Sequence, residues 1–170
     1  KHTGTAALSQ DTATSLVEYR KALNVNFIPS ENVTLTFADY LIGLTASKQL
    51  TETISNATLR THIINAFFEA QQELYAEIKK KPNDAVFYLK LGQLNNGQFL
   101  IDGDISHLFD AIGQLEKARQ LSPERIQIYL ILGETYVLAG ESAKAIEILE
   151  QAVSLEPKFK GTYYFLGRAL

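Results

Sequence analysis

The chain has 170 residues, 46% of them hydrophobic and 21% charged, with a formal net charge of −3; this is the composition of a folded chain, and it lacks the basic surplus that would suit nucleic acid or an anionic lipid surface. Cysteine is absent, which removes disulfides, thiolate catalysis and cysteine-ligated zinc. No run of about 18 apolar residues exists to span a bilayer, since the most apolar stretch, residues 126–139, is interrupted by Gln127 and Glu134.

Residues 11–24 carry Leu16, Tyr19, Ala22 and Leu23 at helical spacing and end on an asparagine, which predicts the second helix of a degenerate helical pair. After Pro29, residues 31–47 place Leu35, Ala38, Leu41 and Ile42 where a helix would, with the alternation of Val33, Leu35 and Phe37 as the strand alternative. From Thr51 or Ser55 an amphipathic helix runs through Ile63, Ala66, Phe67, Ala70, Leu74 and Ile78 to Lys79, Lys80 and Lys81, where cations suit a helix C-terminus. Residues 1–81 are thus expected to be an N-terminal helical segment with degenerate repeats, and residues 82–170 the part in which the repeats are regular.

That regularity is a period of 34: it separates Pro123 from Pro157 and Tyr129 from Tyr163. One full unit carries Tyr129, Leu132, Gly133 and Tyr136, then Ala145, Leu149, Ala152 and Pro157. Upstream, Tyr88, Leu91 and Gly92 repeat its first half and Ala111, Leu115, Ala118 and Pro123 its second, with seven residues inserted near 95–107. Ala70, Leu74 and Pro82 keep the second-half spacing one step earlier, and Tyr163, Leu166 and Gly167 begin a further copy that is cut short. Small residues at Gly133 and Ala145 let two antiparallel helices approach while Tyr129, Leu132, Tyr136 and Leu149 fill the seam. Helices are therefore expected at 85–96 paired with 106–121, and at 126–139 paired with 142–155. Pro157 marks a turn between units, Gly140 a left-handed helix stop, and the insertion is expected to protrude at the turn between two helices, where Phe99, Leu100 and Ile101, too apolar for a freely solvated loop, either extend the hairpin or cover an exposed face.

An aromatic residue, Leu-Gly and Tyr, then Ala, a large apolar residue, Ala and Pro, resembles the tetratricopeptide (TPR) repeat, with Tyr for the usual Trp and Leu for the usual Phe. The resemblance implies an all-α fold, a TPR-like α-solenoid of antiparallel helical hairpins, acting as a non-catalytic scaffold for protein–protein interaction. In that family the first helix of each repeat lines a concave groove. Carried onto this sequence, the groove residues are Leu89, Gln93, Asn96, Leu130, Glu134, Val137, Tyr164 and Arg168, and the partner is a protein or peptide. The two-lysine, two-asparagine clamp by which chaperone-binding members hold a terminal carboxylate is not matched at these positions.

No catalytic, metal or cofactor site is expected. His2, His62 and His107 have no carboxylate or second histidine at metal-binding helical spacing, and Asp102, Gly103 and Asp104 lack the rest of a calcium loop and read as a turn. Asn32-Val33-Thr34 and Asn56-Ala57-Thr58 match glycosylation acceptors, a short pattern to which no role is assigned. The segments 19–23, 30–32, 81–85 and 88–92 together are similar to the C-terminal repeat region of bacterial O-antigen ligase or polymerase-like membrane proteins. This second resemblance implies a soluble tail tethered to a membrane domain upstream, on the cytoplasmic or the extracytoplasmic side, with any catalytic residues outside this chain. A start without methionine and a broken final repeat fit the expectation of a longer parent protein.

Overall fold

The computed structural model describes residue 14, residues 30–46 and residues 55–170. The helix expected at 11–24 lies outside the described residues, Thr14 apart. Seven helices follow among the rest: α1 (Ser30–Ala46), α2 (Ala57–Lys80), α3 (Ala85–Asp102), α4 (Ser106–Leu121), α5 (Ile126–Leu138), α6 (Ser142–Leu155) and α7 (Lys160–Ala169). The strand alternative for residues 33–37 fails because the buried positions, Val33, Phe37, Leu41 and Leu44, recur every three or four residues, with Ala38 beside them, whereas Leu35 is only partly buried.

Helix ends are set by local chemistry. Asn56 caps α2, its side-chain oxygen accepting from the Leu59 N–H at 3.0 Å, and Asp84 caps α3 through the Val86 N–H at 2.9 Å. At the end of α5, Gly140 takes a φ of 76°, and the Glu141 N–H reaches back to the Tyr136 carbonyl at 2.9 Å, the left-handed stop that its glycine predicts.

The turns between hairpins are built three times in the same way. Lys81, Ser122 and Glu156 each donate N–H to the carbonyl four residues earlier, at 2.9, 2.9 and 3.1 Å, and a proline follows each. The hydroxyls of Tyr88, Tyr129 and Tyr163 then donate to the carbonyls of Pro82, Pro123 and Pro157 at 3.0, 2.7 and 3.0 Å. Tyrosine at the aromatic anchor thus ties the start of each first helix to the preceding turn; the rings of Tyr88 and Tyr129 also pack against the second apolar cluster, whereas that of Tyr163 is half exposed.

Within hairpins the helices touch at glycine. A Cβ on Gly92 would lie 2.5 Å from Leu115 Cγ, and one on Gly133 would lie 2.6 Å from Leu149 Cγ. Each leucine is flanked by fully buried alanines, Ala111 and Ala118 in α4 and Ala145 and Ala152 in α6. Two apolar clusters result, one from α1, α2 and α3 around Phe37, Phe67 and Phe87, the other from α4, α5 and α6 with Leu89 of α3 and Ala169 of α7. Helix α3 contributes to both, so the core runs on from residues 30–80 into the regular repeats.

The insertion does not protrude as a turn. Helix α3 has 18 residues against 13 in α5, and α4 has 16 against 14 in α6, so the seven extra residues are all taken up as helix. Asn95, Asn96, Gly97, Gln98 and Ile101 are buried, and a Cβ on Gly97 would meet the Phe67 ring at 2.9 Å and the Thr45 methyl at 3.1 Å. The physical reason is the extra layer formed by α1 and α2: lengthening α3 gives it more surface to bury against them.

Replacing Gly133 by Ala should cost about 1–3 kcal/mol by overpacking against Leu149, and much less in a Leu149→Ala background. Replacing Gly113 by Ala, mid-helix in α4 with open space around it, should instead stabilise by roughly 0.5–1 kcal/mol. Chemical denaturation of the four variants checks both signs; equal effects at the two glycines would remove Gly133 from the helix crossing.

Candidate functional site

The odd-numbered helices share one face, and a cleft of about 360 Å³ opens between them. Ile42 and Thr45 of α1, Gln93, Asn96, Gly97 and Leu100 of α3, Ile131, Glu134 and Leu138 of α5, and Arg168 of α7 line it. On α3 the lining positions recur every three or four residues, and so do those on α5, which is the stripe that one helix face presents. A larger hollow of about 580 Å³ runs along the turns, past Lys81–Val86 and Leu121, Ser122 and Arg125. It is open and bounded by turn backbone.

Of the eight residues expected in the groove, Gln93, Asn96, Glu134 and Arg168 meet at the cleft. Leu89 is fully buried and Leu130 is 8% exposed, both in the second apolar cluster. They pack within that cluster among residues of α4, α5 and α6, and the structure corrects their assignment as groove surface. Val137 packs against the same cluster; its neighbour Leu138 faces the cleft. Tyr164 stands at the outer edge, with the Arg168 guanidinium 6.0 Å from its ring centroid and Phe165 edge-on at 5.5 Å. The lining residues that the repeat pattern did not point to, Ile131 and Leu138, could have been found by continuing a three-or-four spacing from Glu134. Ile42 and Thr45 carried no such signal, because α1 shows no repeat motif.

The polar groups of the cleft are mostly engaged. Arg168 donates to Glu134 at 3.2 Å. Asn96 Nδ2 donates to the Thr135 hydroxyl at 2.7 Å, and that hydroxyl donates to the Ile131 carbonyl at 2.8 Å. Asn96 Oδ1 is buried without a partner. Behind the cleft, Gln71 Nε2 bonds Asn95 and Gln98 at 2.8 and 3.1 Å, holding the lengthened part of α3 to α2.

Elsewhere the titratable groups serve the scaffold. In the α3–α4 turn, hydrogen bonding from the Ser106 N–H holds the Asp104 carboxyl below the usual carboxylate range, while His107 Nε2 lies 3.1 Å from Asp102 Oδ2. Burial, and then the nearby Glu116 charge, push the Tyr136 phenol up. Among the described residues no cluster of three or more His, Asp or Glu could hold a metal ion, and no helix is long and apolar enough to cross a membrane.

Successive antiparallel hairpins whose first helices share one face define the chain as an all-α solenoid. Residues 126–159 match the model of the tetratricopeptide repeat family, so the chain contains a tetratricopeptide repeat. It is 31% identical over 97 residues, 57% of its length, to anaphase-promoting complex subunit 3 of Dictyostelium discoideum, and the match spans 9% of that relative. Its fold is similar to that of a thermophilic TPR protein of Thermus thermophilus, with a TM-score of 0.58 and 18% identity over 99% of this chain and 81% of that one. It is also similar to the TPR2AB domain of yeast Sti1 in its complex with pHSP90, with a TM-score of 0.50 and 16% identity over 94% of this chain and 64% of that one.

The Thr135→Val substitution should leave Asn96 Nδ2 buried and unpaired and cost about 1–3 kcal/mol. Adding Asn96→Leu should recover part of that loss, because both ends of the hydrogen bond then go; thermal unfolding of the single and double variants measures it, and a purely additive double variant would break the assignment.

Proposed function

We propose that the chain is a non-catalytic scaffold that holds a segment of a protein partner in the cleft between α1, α3, α5 and α7. The observation that carries the reading is the cleft itself: four separate helices bring an apolar wall and a few polar groups around one concavity, of about 360 Å³, which lies in the size range of ligand sites. A surface assembled from several rigid helices suits an extended or helical segment. The complex of the Sti1 domain with pHSP90 supports a binding role for a fold of this kind. An accessory tail of a membrane-embedded O-antigen ligase or polymerase-like enzyme is the alternative reading, supported by the sequence layout at 19–23, 30–32, 81–85 and 88–92. The encoding gene separates the two, since that alternative requires several upstream apolar stretches of about 20 residues.

Peptides selected on the purified chain from a random display library should lose about tenfold or more in affinity with Leu100→Glu, which places a charge on the cleft wall. Leu100 is 37% exposed, so the variant should keep its helical circular dichroism. Selected peptides that bind the variant unchanged would remove the cleft as the binding surface.

A further inference from the structure

Away from the cleft, α5 and α7 carry the same seam residues in different surroundings. Tyr129, Leu132 and Tyr136 of α5 lie in or against the second apolar cluster, and Gly133 between them takes Leu149 of α6. Tyr163, Leu166, Gly167 and Leu170 stand 34 residues after Tyr129, Leu132, Gly133 and Tyr136. There a Cβ on Gly167 would meet nothing within 4 Å, and Tyr163 is 50% exposed where Tyr129 is 6%. Gly92, Gly133 and Gly167 hold one position of the repeat pattern; a leucine of the following helix lies against the first two, and at the third the place is open. We propose that the face of α7 around Gly167 is a docking surface, independent of the cleft, for one amphipathic helix of a partner protein. That helix sets a leucine on the glycine, with one alanine four residues before it and another three residues after it.

The occupant follows from an interface that the chain builds twice and that α7 continues. Leu115, between Ala111 and Ala118, lies against Gly92, and Leu149, between Ala145 and Ala152, lies against Gly133. A glycine receives the leucine only where the two backbones come close, and close approach requires small residues on either side of it. The outer faces of these second helices are polar, with Lys117 and Gln120 exposed on α4 and Glu147 and Glu150 on α6, so the occupant is amphipathic. Tyr163 and Leu166 supply the apolar surface that it covers.

A second copy of this chain has no such helix to lend. The pattern Ala-x3-Leu-x2-Ala occurs twice in the 170 residues, at Leu115 and at Leu149, and both leucines are fully buried in their own hairpins. Leu170, exposed just past α7, has Leu166 four residues before it, where the contact needs a small residue. The helix therefore comes from a different protein.

The test uses the 170-residue chain with labelled leucine methyls and, as probe, an acetylated and amidated peptide with the sequence of α6, residues 142–155. The peptide should shift the methyls of Leu166 and Leu170 in a saturable titration, and its Leu149→Ala form should bind about tenfold or more weakly. In the chain, Gly167→Ala should weaken the peptide about tenfold or more, whereas Gly113→Ala in α4 should leave its affinity within about twofold. Neither added methyl touches anything in the free chain, so both variants should unfold at or above the temperature of the parent, which separates a lost surface from a lost fold. Peptide affinity unchanged by Gly167→Ala, or no methyl shift at about millimolar peptide, overturns the proposal. A parent chain that sediments as a dimer and turns monomeric with Gly167→Ala overturns it too, because a second copy is then the occupant.

Discussion

The close contact of a glycine in one helix with a leucine in the next is the constraint on which the rest of the architecture depends. At Gly92 and Leu115, and again at Gly133 and Leu149, no Cβ fits between the two. The flanking alanines of the second helix keep the approach open on both sides. Because the two hairpins make the same contact, their first helices come out on the same side, and that shared side is the cleft wall. Pro82, Pro123 and Pro157, each latched by a tyrosine hydroxyl six residues on, then set how one hairpin follows another.

Much of this was legible because it follows from residues with narrow physical options. Gly140 announced a left-handed stop and makes one, and the prolines announced turns and follow helix ends. Tyr129 and Leu149, in place of the usual Trp and Phe, keep their places in the seam. The insertion extends the hairpin, one of the two outcomes its apolar residues left open, and tertiary structure decides between them. Phe99, Leu100 and Ile101 are too apolar for a loop, yet only the presence of α1 and α2 alongside decides that the residues before them become buried helix. A single sequence does not display that neighbour, since α1 carries no repeat motif.

The site was half legible for a related reason. The repeat pattern gives the face of each first helix to within about one residue, and one residue is a rotation of about 100° on a helix. Gln93, Asn96, Glu134 and Arg168 fall inside that tolerance. Leu89 and Leu130 lie on the same faces one turn nearer the helix start, where they are taken into the second apolar cluster. The wall contributed by Ile42 and Thr45 depends on α1 packing against α3, a contact between residues far apart in the chain.

The lengthened hairpin has one further result. Five additional residues, 18 against 13, make α3 taller than α5 by about 7.5 Å, so the array is stepped where a uniform one would be level. Leu100 sits on that step and forms part of the cleft, so that part of its wall is a property of one specialised unit, not of the period. Units of uniform height can be duplicated, lost or exchanged while a solenoid keeps its curvature. This one cannot, because a neighbour of the standard length copied into its place would bring no residue to the position of Leu100 and would leave the recess without that wall.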